Sequence, residues 1–322
     1  MNRVLIVLIA VLATGCSGGG GTGGSSLPKV LLKLNWFPEH EHGGYYAALV
    51  EGYFKDEGLD VEILRGGGDG PAPTVEVGIG AVAFGIAEAD DVLMARQQDN
   101  DVVAILAPFQ QTPICIMVHE KSGIKSLKDL RDLTLAVGLD APYFLYLKKK
   151  LPLTNVKIEK YTGGISRFLL EPNFAQQGFA FSEPILARNE KSDPLPLLVS
   201  EVGYNPYANV LIVRRALIRE NPELVRKMVR ASVRGWKKYL EDPAKANAAI
   251  SKANPVITPE TLAEGAKILR SFALDATTEK EGFGTMSLGR WKELLGQLEE
   301  IGQIAPGKVK PEEAFDTQFL PK

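Results

Sequence analysis

Residues 32–63 read LKLNWFPEHEHGGYYAALVEGYFKDEGLDVEI. The stretch opens inside a short apolar run, Val30 to Trp36, of strand length rather than helix length. A loop with Pro38 and two histidines follows, and the pattern then turns helical from Gly44 to Phe54, closing at Gly58. Leu59 to Leu64 is a second short apolar run. Strand, helix and strand in immediate succession make a βαβ unit and predict an α/β fold with mainly parallel sheets.

Working outward, the alternation continues. Gly66 to Gly70 is a loop, Ala81 to Ala87 a third strand, Asp90 to Gln98 a helix with acidic residues at its start, and Val102 to Ala107 a fourth strand. A second unit begins near His119. It has a short capped helix at Ser126 and strands at Leu133 to Val137, Val156 to Tyr161, Gly178 to Ser182 and Leu195 to Ser200. Val210 to Val213 is a strand that leads back. The C-terminal third is helical. Asn221-Pro222-Glu223 and Thr258-Pro259-Glu260 are capped starts, and Ser287 to Ile301 carries Leu288, Trp291, Leu295 and Leu298 on one face.

The 322 residues suffice for two domains, and 45% hydrophobic with 24% charged residues is ordinary globular composition. A net charge of -2 and a pI near 6.1 give no basic stripe for nucleic acid. Lys148-Lys149-Lys150 reads as a solvated helix face. At the N-terminus, Arg3 precedes the apolar run Val4 to Ala13, which is too short to span a bilayer and reads as a secretory signal. Gly15-Cys16 then resembles a bacterial lipobox, although Ala13 stands where that pattern prefers Leu. Residues 1–15 are thus expected to be a lipoprotein signal peptide, with residues 16–27 a lipidated Cys16 and a Gly/Ser tether. This leaves Cys115, in the apolar run Ile114 to Val118, without a disulfide partner and inert by burial.

The opening stretch resembles that of periplasmic substrate-binding proteins of ABC importers, the group that takes thiamine-pyrimidine precursors, riboflavin, alkanesulfonates, taurine and nitrate. Further pieces carry the same resemblance in the same order: Phe84-Gly-Ile-Ala-Glu-Ala-Asp90, Pro108-Phe-Gln-Gln-Thr-Pro113, Ser122 to Leu130, Gln177-Gly-Phe-Ala-Phe-Ser-Glu-Pro184 and Pro311-Glu-Glu-Ala-Phe. It extends over nearly all of residues 28–322 and implies a two-lobed, type II periplasmic-binding-protein fold with two crossing segments. The crossings are expected near Val118-His119 and Val213-Arg214. Residues 28–118 plus 214–322 would then form lobe 1, C-terminal helices included, and residues 119–213 lobe 2.

Ligands of such sheets sit beyond the carboxyl ends of the strands. Candidate ligand-binding residues at those ends are Trp36, Phe37, His42, Tyr46, Asp90, Gln110 and Glu183. Trp36 and Phe37 could stack on a flat ring or belong to the core. His42 could hydrogen-bond a ligand or lie in a solvated loop with His40. Tyr45 and Tyr46 could cap the cleft or pack. Asp90 and Glu88 could meet an amino group or cap a helix. Gln110 and Gln111 end the fourth strand, and Gly163-Gly164 with Arg167 would suit an anion. No metal site is assigned, because His40 and His42 lack a third ligand at a clear spacing.

No nucleophile elbow, His-Glu-x-x-His or Walker loop is present, and the cysteine-rich motif of the related pyrimidine synthase is missing, so the chain is read as a binder and not an enzyme, without cofactor. The expected role is an extracytoplasmic lipoprotein on a bacterial membrane. It would be monomeric and would deliver a pyrimidine thiamine precursor or related N-heterocycle to an ABC permease and ATPase. The alternatives are a binder of a small sulfonate or other anion for an ABC importer, a pyrimidine-synthase-like enzyme, and a ligand-sensing or scaffold lipoprotein without transport.

Overall fold

The computed structural model describes residues 27–67 and 70–321. The signal segment and Cys16 lie outside the described residues. Among the described residues, ten strands form two five-stranded sheets. The first holds β1 (Lys29–Lys33), β2 (Asp60–Leu64), β3 (Phe84–Ala87), β4 (Val102–Leu106) and β10 (Val210–Arg214), in the order β2-β1-β3-β10-β4. The second holds β5 (Ile114–His119), β6 (Thr134–Val137), β7 (Lys157–Lys160), β8 (Phe174–Phe179) and β9 (Pro194–Leu198), in the order β7-β6-β8-β5-β9. Within each sheet three strands run parallel: β2, β1 and β3 in one, and β7, β6 and β8 in the other. Each sheet also contains one antiparallel strand, β10 beside β3 and β4, and β5 beside β8 and β9.

This pairing corrects the lobe boundaries. β5 belongs to the second sheet and β10 to the first, so the chain crosses at residues 107–113 and 199–209, one strand earlier than the sequence reading placed each crossing. The reason is burial. β4, β5 and β10 are apolar on both faces, and such a run carries no alternation to show which sheet it joins. The two crossing segments are tied to each other, with Thr112 N donating to Asn205 Oδ1 at 2.8 Å and Gln111 Nε2 to Ser200 Oγ at 2.9 Å.

The C-terminal helices cover the first lobe. The helix Pro222–Glu241 is capped by Asn221, whose side chain accepts from Leu224 N at 3.1 Å. Its buried Trp236 and Tyr239 lie against Gly44 and Gly43 of the helix Gly43–Val50, where any Cβ would meet those rings within about 2.1 Å. Gly235 likewise faces the Gly44 carbonyl, so the two helices approach to backbone contact. The helix expected to continue to Phe54 stops at Val50; Gly52, at φ 79°, turns the chain into the short helix Tyr53–Asp56. Among the described residues no helix is long and apolar enough to cross a membrane.

Candidate functional site

A cavity of about 210 Å³ lies between the lobes, at the carboxyl ends of the parallel strands. Lobe 1 contributes Asn35 and Trp36 from beyond β1, Glu39 and Glu41 from the single turn His40–His42 and its leading residue, and Glu88 from beyond β3. Lobe 2 contributes Tyr143, Tyr161, Gln177, Ser182 and Glu183. A larger depression of about 500 Å³ at Arg96, Asp101, Arg215 and Lys310 lies elsewhere on lobe 1. Its ions pair with one another, as in Arg96 with Asp101 at 2.7 Å and Arg215 with Asp101 at 3.2 Å.

Among the described residues, four carboxyl groups and no lysine, arginine or histidine line the interlobe cavity. Burial pushes all four above the usual carboxylate range. Glu39 is pushed to about 8 by burial and by the charge of Glu183 across the cleft, against the hydrogen bond from Ser182. Ser182 Oγ donates to Glu39 Oε2 at 2.9 Å, which links the lobes directly. Glu183 accepts from Phe179 N at 2.7 Å and from Tyr161 Oη at 3.5 Å. Glu41 Oε2 and Glu88 Oε2 are buried without any partner, a costly arrangement that a ligand donor would relieve. Opposite them, Gln177 Oε1 accepts from both Tyr143 Oη and Gly138 N at 2.6 Å, which orients its amide group.

The structure brings Trp36 and Glu183 onto this wall and sets the other candidates elsewhere. Phe37 turns away, its ring edge-on to Trp36 at 5.5 Å and under Arg65 at 5.8 Å. His42 is buried behind the wall, because its Nε2–H is spent on Asn35 Oδ1 at 2.9 Å; burial lowers its pKa to about 3, which keeps it neutral. It therefore positions Asn35, whose Nδ2 donates to Glu88 Oε1 at 3.4 Å. Tyr46 is 6% exposed and packs in the lobe 1 core, since the helix Gly43–Val50 turns that face inward. Asp90 sits one residue inside its helix and accepts from Tyr204 Oη at 2.6 Å, leaving Glu88 as the carboxyl at the cavity. Gln110 lies in the first crossing segment and is held by Ala107 O and Thr285 O. Arg167 points outward to Glu159 and Glu171, so the glycine loop beside it brings no cation to the cleft. The sequence reading missed Asn35, Glu39, Glu41, Tyr143, Tyr161, Gln177 and Ser182. The Glu39-x-Glu41 spacing directly past β1 was the available signal.

The profile of the NMT1/THI5-like family matches residues 39–246. The chain belongs to that family. Among NMT1/THI5-like relatives, the riboflavin-binding protein RibY of Chloroflexus aurantiacus is 27% identical, over 98% of this chain and 96% of its own length. The formylaminopyrimidine-binding protein of Halalkalibacterium halodurans is 24% identical over 98% of both chains. A 4-amino-5-hydroxymethyl-2-methylpyrimidine phosphate synthase of Saccharomyces cerevisiae, THI5, is 26% identical over 69% of this chain and 70% of its own. In fold, the periplasmic aliphatic sulphonate binding protein SsuA of Escherichia coli superposes with a TM-score of 0.67 at 11% identity, covering 91% of this chain and 94% of that one. The NMT1/THI5-like relatives matched along the whole chain are thus binding proteins for small ligands.

Proposed function

We propose that this chain captures a small, amine-bearing N-heterocycle, an aminopyrimidine of the thiamine-precursor type, and hands it to an ABC importer from an extracytoplasmic, lipid-anchored position. The carrying observation is the wall of the interlobe cavity: four carboxyls, two with a bare buried oxygen, no cationic side chain, and the rings of Trp36, Tyr143 and Tyr161. A carboxyl accepts from ring amino groups, and an aromatic face stacks on the ring. A sulfonate would meet four acceptors and no cation, which disfavours the anion alternative. The relative's aminopyrimidine ligand fits this reading. At about 210 Å³ the cavity is smaller than the roughly 300–1,000 Å³ of pockets for drug-sized molecules. Riboflavin, favoured by the 27% identity to RibY, would require the lobes to stand further apart. The export signal, Cys16 and the tether support anchoring, and the binding-protein relatives support delivery. Calorimetry of the full chain against formylaminopyrimidine, riboflavin and an alkanesulfonate tests the ligand class. Saturable one-to-one binding of the pyrimidine alone is expected, and tighter binding of the sulfonate overturns the reading.

A further inference from the structure

The turn at the mouth of the first βαβ unit holds a second set of donors. Glu39, His40 and Glu41 each present a ligand atom within 4.8 Å of the other two. His40 is fully buried, and its Nε2 meets Thr261 O at 3.2 Å. A carbonyl only accepts, so the proton sits on Nε2 and Nδ1 carries a bare lone pair. That Nδ1 is buried without a partner, and so is Glu41 Oε2. The ring is pinned from behind, since a Cβ on Gly265 would lie 2.1 Å from His40 Cδ2. A carbonyl-fixed tautomer on a packed imidazole is the outer support that metal-ligating histidines use.

We propose that Glu39, His40 and Glu41 form a binding site for a divalent transition ion on the lobe 1 wall of the cavity. This goes beyond the organic-ligand reading: an ion on Glu39 and Glu41 would leave Glu88 and Glu183 as the carboxyls facing an organic ligand. Two carboxylates and one neutral imidazole neutralise a +2 charge. A nitrogen donor among oxygens suits Zn²⁺ or Co²⁺ and not Ca²⁺ or Mg²⁺, which take oxygen ligands. His40 and His42 do not face one common ion position. His42 is instead committed to Asn35, and the partners of His40 are its two immediate neighbours. Because Ser182 of the second lobe donates to Glu39, the ion would be held with the lobes together.

The full chain, purified in detergent and stripped with chelator, would be titrated with Zn²⁺ and Co²⁺, and with Mg²⁺ and Ca²⁺ for comparison. One saturable Co²⁺ site with visible d–d absorption is expected, weakened at least about tenfold in His40→Gln and Glu41→Gln and unchanged in His119→Gln on the far side of lobe 2. The absence of a saturable Co²⁺ or Zn²⁺ site in the wild-type chain overturns the proposal whatever the variants do. Equal binding of Mg²⁺ or Ca²⁺, or full binding in His40→Gln, overturns it as well, since either would mean diffuse attraction by the carboxyls. Pyrimidine binding repeated in excess chelator reads the organic ligand separately, so either proposal can fail alone.

Discussion

Trp36 stands 40% exposed at the cavity rim, its ring edge-on to Phe37. A residue so placed supports little of the core. Trp36→Ala is expected to cost about 2–4 kcal/mol of ligand binding, as truncated aromatic anchors do. Its effect on stability should stay under about 1 kcal/mol, as for surface changes generally. Calorimetry with the pyrimidine and urea unfolding of the empty protein read the two quantities. Trp36 and Glu183 were legible because a large ring at a strand end and a carboxyl before Pro184 stand out in sequence. His42 is turned from the cavity because Asn35 takes its hydrogen bond, and which polar residue of a loop faces a cleft is decided by backbone turning that residue type does not encode. Glu88 and Asp90 show the same ambiguity. They are two residues apart, and only the start of the helix Ala89–Gln97 decides that one faces the cavity and the other Tyr204.

At the scale of elements, the two helices Gly43–Val50 and Pro222–Glu241 set the position of Glu39 and Glu41 on the lobe 1 wall, because the turn His40–His42 leads directly into the first of them. Their contact depends on Gly235, where a Cβ would fall 2.1 Å from Gly44 O and 2.6 Å from the Ala48 Cβ. Neither atom is the end of a flexible side chain, so Gly235→Ala must force the helices apart. A loss of about 3 kcal/mol is expected, the upper end for overpacking, read from urea unfolding. Elements with a clear period or cap, such as the helix after Asn221 and the alternating β1, were readable from sequence. The break at Gly52 was not, since one glycine inside an apolar helical pattern is compatible with continuation. The crossing strands were visible as strands, but their sheet membership is a long-range property.

For the whole molecule, the described structure has its lobes in contact through Ser182 and Glu39, through Asn189 and Thr261 at 3.1 Å, and through Lys150 and Glu300 at 2.7 Å. The lysine run expected to be solvated thus also bridges the lobes. Four buried carboxyls oppose closure of an empty cleft, so ligand should shift the population toward the closed form by a hinge motion. Small-angle scattering should show a smaller radius of gyration with saturating pyrimidine, and an unchanged radius counts against hinge closure. Burial raises the proton affinity of Glu88 and Asp90 in the folded state. Above the ordinary carboxylate pKa of about 4, the folded form then binds more protons than the unfolded form, and stability falls as pH rises. Above pH 7, where the buried His40 and His42 are neutral in both states, the melting temperature of the empty protein should drop as pH rises, and Glu88→Gln should flatten that slope.

The exchange of β5 and β10 between the sheets also dictates an order of assembly. Every strand of the second sheet lies within residues 114–198, whereas β3 and β4 of the first sheet have no shared neighbour until β10 arrives at residue 210. A chain emerging N-terminus first therefore presents lobe 1 before it can be finished, and completes lobe 2 while the gap between β3 and β4 is still open. The segment made first is the last to become native, which inverts the usual vectorial sequence. In pulse-labelled refolding, amides of β6 and β8 should gain protection before those of β3 and β4. Until then, the unpaired edges of β3 and β4 are open templates for pairing with another chain.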